Sequence, residues 1–211
     1  TVNELITHLK SNPRGKALLI HGPAGVGKTC SVHALSEQYN CDLVEVNASS
    51  VRDKDSMKSV VGNASVTASL FGKRVILIDD VDSLNYKDRG GIAELVKIVK
   101  NTRNPLFLTA INPWDKKIRS LRNHCEMVEF KKLKTFTIKQ VLKGIARKEG
   151  VKASDSVLNQ VAVHAKGDLR AAINNLEMLS GDGEITMYDL DAMGYREQPT
   201  NIFKGLQHLF Q

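Results

Sequence analysis

The chain has 211 residues, 42% of them hydrophobic and 25% charged, the balance of a globular protein large enough to bury a sizeable core. This excludes intrinsic disorder, a collagen-like fibre and a small disulfide scaffold, and no apolar run approaches the ~18 residues that a membrane-spanning helix needs. Lys and Arg number 30 against 23 Asp and Glu, a net charge of +7 that suits a polyanionic partner, whereas an aromatic content of 5% argues against a base-stacking platform for single strands.

In chain order, the start at Thr1-Val2-Asn3-Glu4-Leu5 has neither the basic nor the apolar region of a secretory signal, and without a Met it reads as a piece of a longer chain. Strands are predicted at Ala17-Leu18-Leu19-Ile20, Leu43-Val44-Glu45-Val46, Val75-Ile76-Leu77-Ile78, Leu106-Phe107-Leu108-Thr109-Ala110 and Met127-Val128-Glu129-Phe130. Each is a short apolar run of the kind that is covered on both faces. Crossover helices are predicted over 29–39 and 90–101, the second with Ile92, Leu95, Val96 and Val99 on one face. Such alternation predicts an α/β domain with a parallel five-stranded sheet over residues 1–132.

After Phe130 the period changes. Residues 135–149, 154–165 and 168–179 read as successive helices, broken at Glu149-Gly150 and Lys166-Gly167-Asp168, with a short fourth near Thr186. They predict a small all-helical domain over 133–195, beginning at Lys131-Lys132-Leu133-Lys134. Residues 196–211 place Ile202, Phe203, Leu206, Leu209 and Phe210 at helical spacing and read as the start of a further domain.

The strongest motif is Gly22-Pro23-Ala24-Gly25-Val26-Gly27-Lys28-Thr29, which follows the first strand and opens a helix. It matches G-x-x-x-x-G-K-[ST] at every fixed position. The glycines let successive N–H groups converge on phosphate oxygens, and the helix start adds its positive dipole end. Gly22 to Thr29, with Cys30 after them, are the expected nucleotide cradle. Lys28 is expected on the β- and γ-phosphates and the Thr29 hydroxyl on Mg²⁺. Val75-Ile76-Leu77-Ile78-Asp79-Asp80 runs an apolar strand into two carboxylates that repel each other, which stability does not explain. Asp79 is assigned to Mg²⁺ through water and Asp80 to polarising the attacking water. Asn112, after Thr109-Ala110-Ile111, is a candidate for the γ-phosphate or that water. Arg170, in Gly167-Asp168-Leu169-Arg170 at a helix start, is a candidate for folding onto the phosphates.

In this order, the four elements resemble the Walker A, Walker B, sensor 1 and sensor 2 of AAA+ ATPases. The resemblance spans roughly residues 15–180 and implies an AAA+ P-loop core followed by a helical lid. Val46-Asn47-Ala48-Ser49-Ser50 is similar to a stretch of sliding-clamp loaders, and Asp88-Arg89-Gly90-Gly91-Ile92 with Glu94-Leu95 resembles the large-subunit family of replication factor C. Small subunits of clamp loaders carry a Ser-Arg-Cys arginine finger where this chain reads Asn123-His124-Cys125, again resembling the large subunit. Arg122 lies one position too early for that role. Asn201-Ile202-Phe203-Lys204 resembles the large subunit's entry into its collar domain, and the compact size resembles archaeal members.

The resemblance implies ATP and Mg²⁺ as cofactors and a hetero-oligomeric ring, a pentamer with clamp-loader small subunits. Its further partners are a sliding clamp and primer–template DNA. It implies an intracellular site, cytoplasmic in an archaeon and nuclear in a eukaryote, with no membrane. DNA is expected to be held by its backbone, through Arg52, Lys54 and Lys58 after the second strand and Lys87 and Arg89 after the third. Val66-Thr67-Ala68-Ser69-Leu70-Phe71 is a candidate clamp contact, with core packing as the alternative. Two departures stand out. The family's Asp-Glu is here Asp79-Asp80, and a ~1 Å misplacement of water costs on the order of 100-fold in rate, so slow hydrolysis is expected with ATP binding intact. The family's adenine-covering segment would precede Thr1, so within this sequence the adenine pocket is expected to be incomplete.

Rival readings are a nucleotide-holding scaffold subunit with little hydrolysis, a replication initiator or branch helicase of the same superfamily, and a checkpoint- or cohesion-type loader. The initiator needs a winged helix that 196–211 does not begin. Cys30, Cys41 and Cys125 form no CxxC pair and suit a reducing compartment, and the six histidines form no HExxH, so no zinc site is expected. Asn47-Ala48-Ser49 and Asn63-Ala64-Ser65 match a glycosylation pattern that is treated as chance.

Overall fold

In the computed structural model, residues 2–12, 15–50, 54–66, 72–84, 90–181 and 183–192 are described. Arg52, Lys87, Arg89, residues 67–71 of the candidate clamp contact, Asp88 and the whole of 196–211 lie outside them. The chain divides into two compact units, Thr1–Lys131 and Lys132–Gln211.

The first unit is built on five strands: β1 (Ala17–His21), β2 (Asp42–Asn47), β3 (Arg74–Asp79), β4 (Leu106–Ala110) and β5 (Cys125–Glu129). All five predicted strands are present, and they pair in parallel in the order β2-β3-β4-β1-β5. Alternate side chains leave opposite faces of a strand, so each central strand feeds two cores. Leu19, Ile76, Ile78, Leu106 and Leu108 join one core. It includes Leu95 and Val99 of helix α5 (Gly91–Asn101) and Met57 of the short helix α3 (Lys54–Met57). A π-helical turn over Lys58–Gly62 leads from α3 into α4 (Asn63–Val66), and Val61 and Ala64 join the same core. Leu18, Ile20, Val75, Leu77 and Phe107 face the opposite core, covered by Leu5 and Leu9 of α1 (Val2–Ser11) and Val32 and Leu35 of α2 (Lys28–Gln38). Helices on both faces explain why these strands read as apolar runs rather than alternating patterns.

Two elements differ from expectation. Helix α1 has no sequence prediction, although Val2, Leu5, Ile6 and Leu9 recur at helical spacing; Leu5 and Leu9 are buried and Ile6 packs against the same core. The polypeptide between Ala110 and β5 is also ordered, as a 3₁₀ turn (Lys116–Ile118) and α6 (Arg119–Arg122), whose Ile118 and Leu121 are buried.

The second unit has helices α7 (Thr135–Lys148), α8 (Asp155–His164), α9 (Leu169–Leu179) and α10 (Met187–Ala192) around a core of Ile138, Leu142, Val161, Ala172 and Leu176. The predicted breaks have local causes. Gly150 adopts φ 70° after α7. The side chains of Ser154 and Asp168 accept from the N–H groups of Val157 and Ala171, capping α8 and α9. Thr186 and Asp189 bond reciprocally at the start of α10, with Thr186 N–H donating to Asp189 Oδ2 over 2.7 Å and Asp189 N–H donating to Thr186 Oγ1 over 3.4 Å. The helical unit also carries a two-residue parallel pair, β6 (Lys152–Ala153) with β7 (Glu184–Ile185), too short to leave a periodic signal.

Candidate functional site

The phosphate-loop residues sit where β1 passes into α2. Gly22, Gly25 and Gly27 have φ of 147°, 67° and 91°, which side-chain-bearing residues rarely adopt. At Gly22 the demand is also steric: a Cβ would lie 2.0 Å from the carbonyl oxygen of Phe130. The close approach follows from strand pairing, since Gly22 N–H donates to Ala110 O over 3.2 Å and Phe130 N–H donates to His21 O over 2.7 Å. Gly27 is the N-cap of α2 and no side chain caps that end. The first N–H groups of a helix have no partner within it, which makes this terminus suited to an anion.

Lys28 opens α2 and is 8% exposed. Its Nζ donates to the carbonyls of Gly22 and Pro23, over 2.8 and 2.9 Å, so the ammonium lies inside the loop it follows. Val26 is buried beneath the loop, whereas Ala24 and Cys30 are exposed. His21, just before the loop, has its pKa lowered by burial, opposed by Glu129 and reinforced by Lys28.

Thr29 Oγ1 donates to Asp79 Oδ1 over 2.8 Å, bringing the first turn of α2 to the end of β3. These are hard oxygen donors of the kind Mg²⁺ takes. That ion is ordinarily held by one or two protein groups completed by phosphates and water. Among the described residues, no group of three or more His, Cys, Asp or Glu able to hold a metal occurs. The residues present fit Mg²⁺ with a nucleotide.

Asp80 has φ 54° and ψ 50°, a left-handed conformation that Asp tolerates better than most residues. Its N–H donates to Thr109 Oγ1 over 2.9 Å, and Thr109 Oγ1 donates in turn to Asp79 Oδ1. Asn112 lies in the turn after β4. Its Oδ1 accepts from Trp114 N–H over 3.0 Å, and its own N–H donates to Asp82 Oδ2 over 2.9 Å. Ile111 N–H donates to the same Asp82 oxygen over 3.0 Å. Thr109, predicted only as a strand residue, and Asp82 are not among the site residues predicted from the sequence. The available signal was a hydroxyl in an otherwise aliphatic buried strand, since Thr109 is 0% exposed.

Arg122 donates to Pro113 O over 2.7 Å and stacks its guanidinium 4.6 Å from the Trp114 ring centre. It is therefore engaged within its own chain. Arg170 is exposed in the first turn of α9, in the second unit. Lys58 is exposed on the turn after α3. Lys54 begins α3, and its side chain is outside the description.

A family model for the ATPase family associated with various cellular activities (AAA) matches residues 18–133, more than half of the chain. This chain belongs to the AAA ATPase family. A second model, for the RCF1/5-like AAA+ ATPase lid domain, matches residues 140–180. Among curated proteins, the chain is 44% identical over 212 residues to the replication factor C large subunit of Nanoarchaeum equitans, covering 100% of this chain and 49% of that protein. It is 42% identical over 199 residues to the replication factor C large subunit of Thermofilum pendens, covering 92% and 48%. It is 42% identical over 194 residues to that of Methanococcus vannielii, covering 91% and 39%. The chain thus spans about half the length, or less, of these relatives. Among the described residues, no helix is long and apolar enough to cross a membrane.

Proposed function

We propose that this chain is the ATP-binding part of a clamp-loader large subunit, and that it binds and hydrolyses Mg²⁺–ATP. The observation that carries the reading is the Thr29–Asp79 bond next to the buried Lys28, which brings a cation for phosphate, a hydroxyl for Mg²⁺ and a carboxylate for its water to the segments following β1 and β3. The likeness to replication factor C large subunits supports the cellular role.

In this reading the first-turn N–H groups of α2 and the glycine-rich backbone orient the polyphosphate. Lys28 exchanges its loop carbonyls for β- and γ-phosphate oxygens. Thr29 would hold the Mg²⁺ directly and Asp79 would hold it through water, and the ion would supply charge neutralisation to the polyphosphate. Asp80 accepts a hydrogen bond from the attacking water, and the Nδ2 group of Asn112 donates to the γ-phosphate or that water. Arg170 senses the γ-phosphate from the lid (residues 133–195), and ATP binding closes lid on core. Residues 1–132 are the nucleotide-binding domain, and 196–211 begin a collar domain. The partners are small subunits in a pentameric ring, a sliding clamp and primer–template DNA. Arg52, Lys54, Lys58, Lys87 and Arg89 grip the DNA backbone. Hydrolysis releases clamp and DNA.

A second reading, a nucleotide-holding subunit with little turnover, is favoured by one feature: the second carboxylate is Asp80, one methylene shorter than the glutamate of the resembled family. The test is ATP affinity of this chain by calorimetry and ATP turnover by the assembled complex, with and without clamp and primer–template DNA. Micromolar binding lost in Lys28→Ala, with DNA- and clamp-dependent turnover lost in Asp80→Asn, supports the active loader. Unchanged affinity in Lys28→Ala overturns the nucleotide site. Unchanged turnover in Asp80→Asn, with ATP still bound, supports the holding subunit.

A further inference from the structure

The parallel ladder between β3 and β4 has its last paired positions at Ile78 and Leu108. Beyond it run the two segments that carry Asp79, Asp80 and Asn112, and backbone pairing no longer sets their spacing. Two side chains take over. Thr109, 0% exposed, bridges Asp79 and Asp80: its hydroxyl donates to the carboxylate of the first and accepts from the N–H of the second, over 2.5 and 2.9 Å. Asp82 bonds in the opposite direction, from the β3 side to the β4 side, accepting the N–H groups of Ile111 and Asn112 on one oxygen.

We propose that Thr109 and Asp82 are positioning residues of the nucleotide site, stitching the ends of β3 and β4 so that Asp79, Asp80 and Asn112 hold a fixed mutual geometry. The role rests on the reading of this site as an ATPase centre. A merely structural threonine in a buried strand needs one partner for its hydroxyl, whereas this hydroxyl satisfies a carboxylate and a backbone donor at adjacent residues. The left-handed backbone of Asp80 makes the second bond matter, because a residue in that sparsely populated region persists only where its surroundings hold it. Asp82 completes the device through Asn112, whose Oδ1 is already committed to Trp114 N–H, so backbone and side chain of Asn112 are both anchored.

Trp114 is the single tryptophan of the chain and is 68% exposed, so its emission reports this turn directly. The experiment compares Thr109→Val, Thr109→Ser, Asp82→Ala and Asp82→Asn. It reads Trp114 anisotropy of this chain without nucleotide, ATP affinity with and without Mg²⁺, and kcat and KM in the assembled complex. Thr109→Val keeps the volume and removes both bonds. The expected result is a fall in kcat on the order of 10- to 100-fold, given the sensitivity of rate to ~1 Å displacements. KM for ATP should stay within about threefold, with activity restored in Thr109→Ser. Asp82→Ala is expected to lower Trp114 anisotropy before any nucleotide is added, and Asp82→Asn, which keeps an acceptor oxygen, to restore it.

An unchanged kcat in Thr109→Val, or equal losses in Thr109→Val and Thr109→Ser, overturns the role of Thr109. Unchanged anisotropy in Asp82→Ala overturns that of Asp82. If Thr109→Val does not fold, loss of kcat in Asp82→Ala with rescue in Asp82→Asn carries the proposal, and absence of that pattern overturns it. A wild-type chain that binds no ATP contradicts the ATPase reading itself, a result separate from wild-type turnover that the Thr109 variants leave untouched.

Discussion

Thr29 and Asp79 stand 50 positions apart in the chain, yet the hydroxyl of one donates to the carboxylate of the other over 2.8 Å. The bond spans from the helix after β1 to the end of β3, although β4 lies between those strands in the sheet. Thr29→Val is expected to remove the bond and, on the proposed reading, one Mg²⁺ donor together. ATP affinity measured with Mg²⁺ should fall by about tenfold or more, whereas affinity measured in EDTA should change little. Equal losses under both conditions would mean that Thr29 acts on the loop rather than on the ion.

Gly22 combines φ 147° with a Cβ position 2.0 Å from the carbonyl oxygen of Phe130. Gly22→Ala forces either β1 or the chain at Phe130 to move. The expected cost is about 2 kcal/mol or more, by strain at positive φ and by overpacking. A urea-unfolding midpoint equal to wild type would contradict the clash. Gly27→Ala meets no atom within 4 Å and faces only the φ penalty, so it should destabilise less.

Histidine burial sets an acid limit on stability. His8 is buried edge-on against Phe107, ring centres 5.2 Å apart, and burial lowers its pKa against the opposing pull of Glu126. His21 is lowered in the same direction. In the unfolded chain both protonate near pH 6.5, so below that pH the unfolded state binds more protons than the native one. Stability is therefore full above about pH 6.5 and is lost as pH falls through the depressed native pKa values. His8→Leu should flatten this loss, read as urea midpoints between pH 5 and 8. A slope unchanged in His8→Leu would exclude His8 as its source.

The exposed Lys58 offers a test of backbone gripping. Lys58→Glu should weaken binding of primer–template DNA equally across sequences and reduce the slope of log affinity against log salt by about 1 to 2. A sequence-selective loss would point to base contacts instead.

In the helical unit, Asp168 Oδ1 accepts the N–H of Ala171 over 2.9 Å at the start of α9. Asp168→Ala should cost about 1 kcal/mol through the lost cap. Asp168→Asn, which retains an acceptor, should cost less by thermal denaturation, and equal losses would assign the effect to charge instead.

The sequence by itself determined what is local and contiguous. The run from Gly22 to Thr29 is legible because a phosphate loop is a backbone conformation written by neighbouring glycines. The strand ending in Asp79 is legible because four apolar residues running into a carboxylate need no partner to be noticed. The breaks at Gly150 and Asp168 are legible because caps act within a few residues. Tertiary structure decided the rest, since it depends on which strands are neighbours. Thr109 looks like any strand threonine until β4 is set beside β3 and its hydroxyl meets Asp79 and Asp80. Asp82 reads as one more acid in a turn until the chain after β4 brings it the N–H groups of Ile111 and Asn112. Helix α1 was legible in Val2, Leu5, Ile6 and Leu9 at helical spacing, but which sheet face Leu5 and Leu9 cover was decided by the fold. Hydrogen bonds and packing across strands are set by register and strand order, which no window of consecutive residues contains.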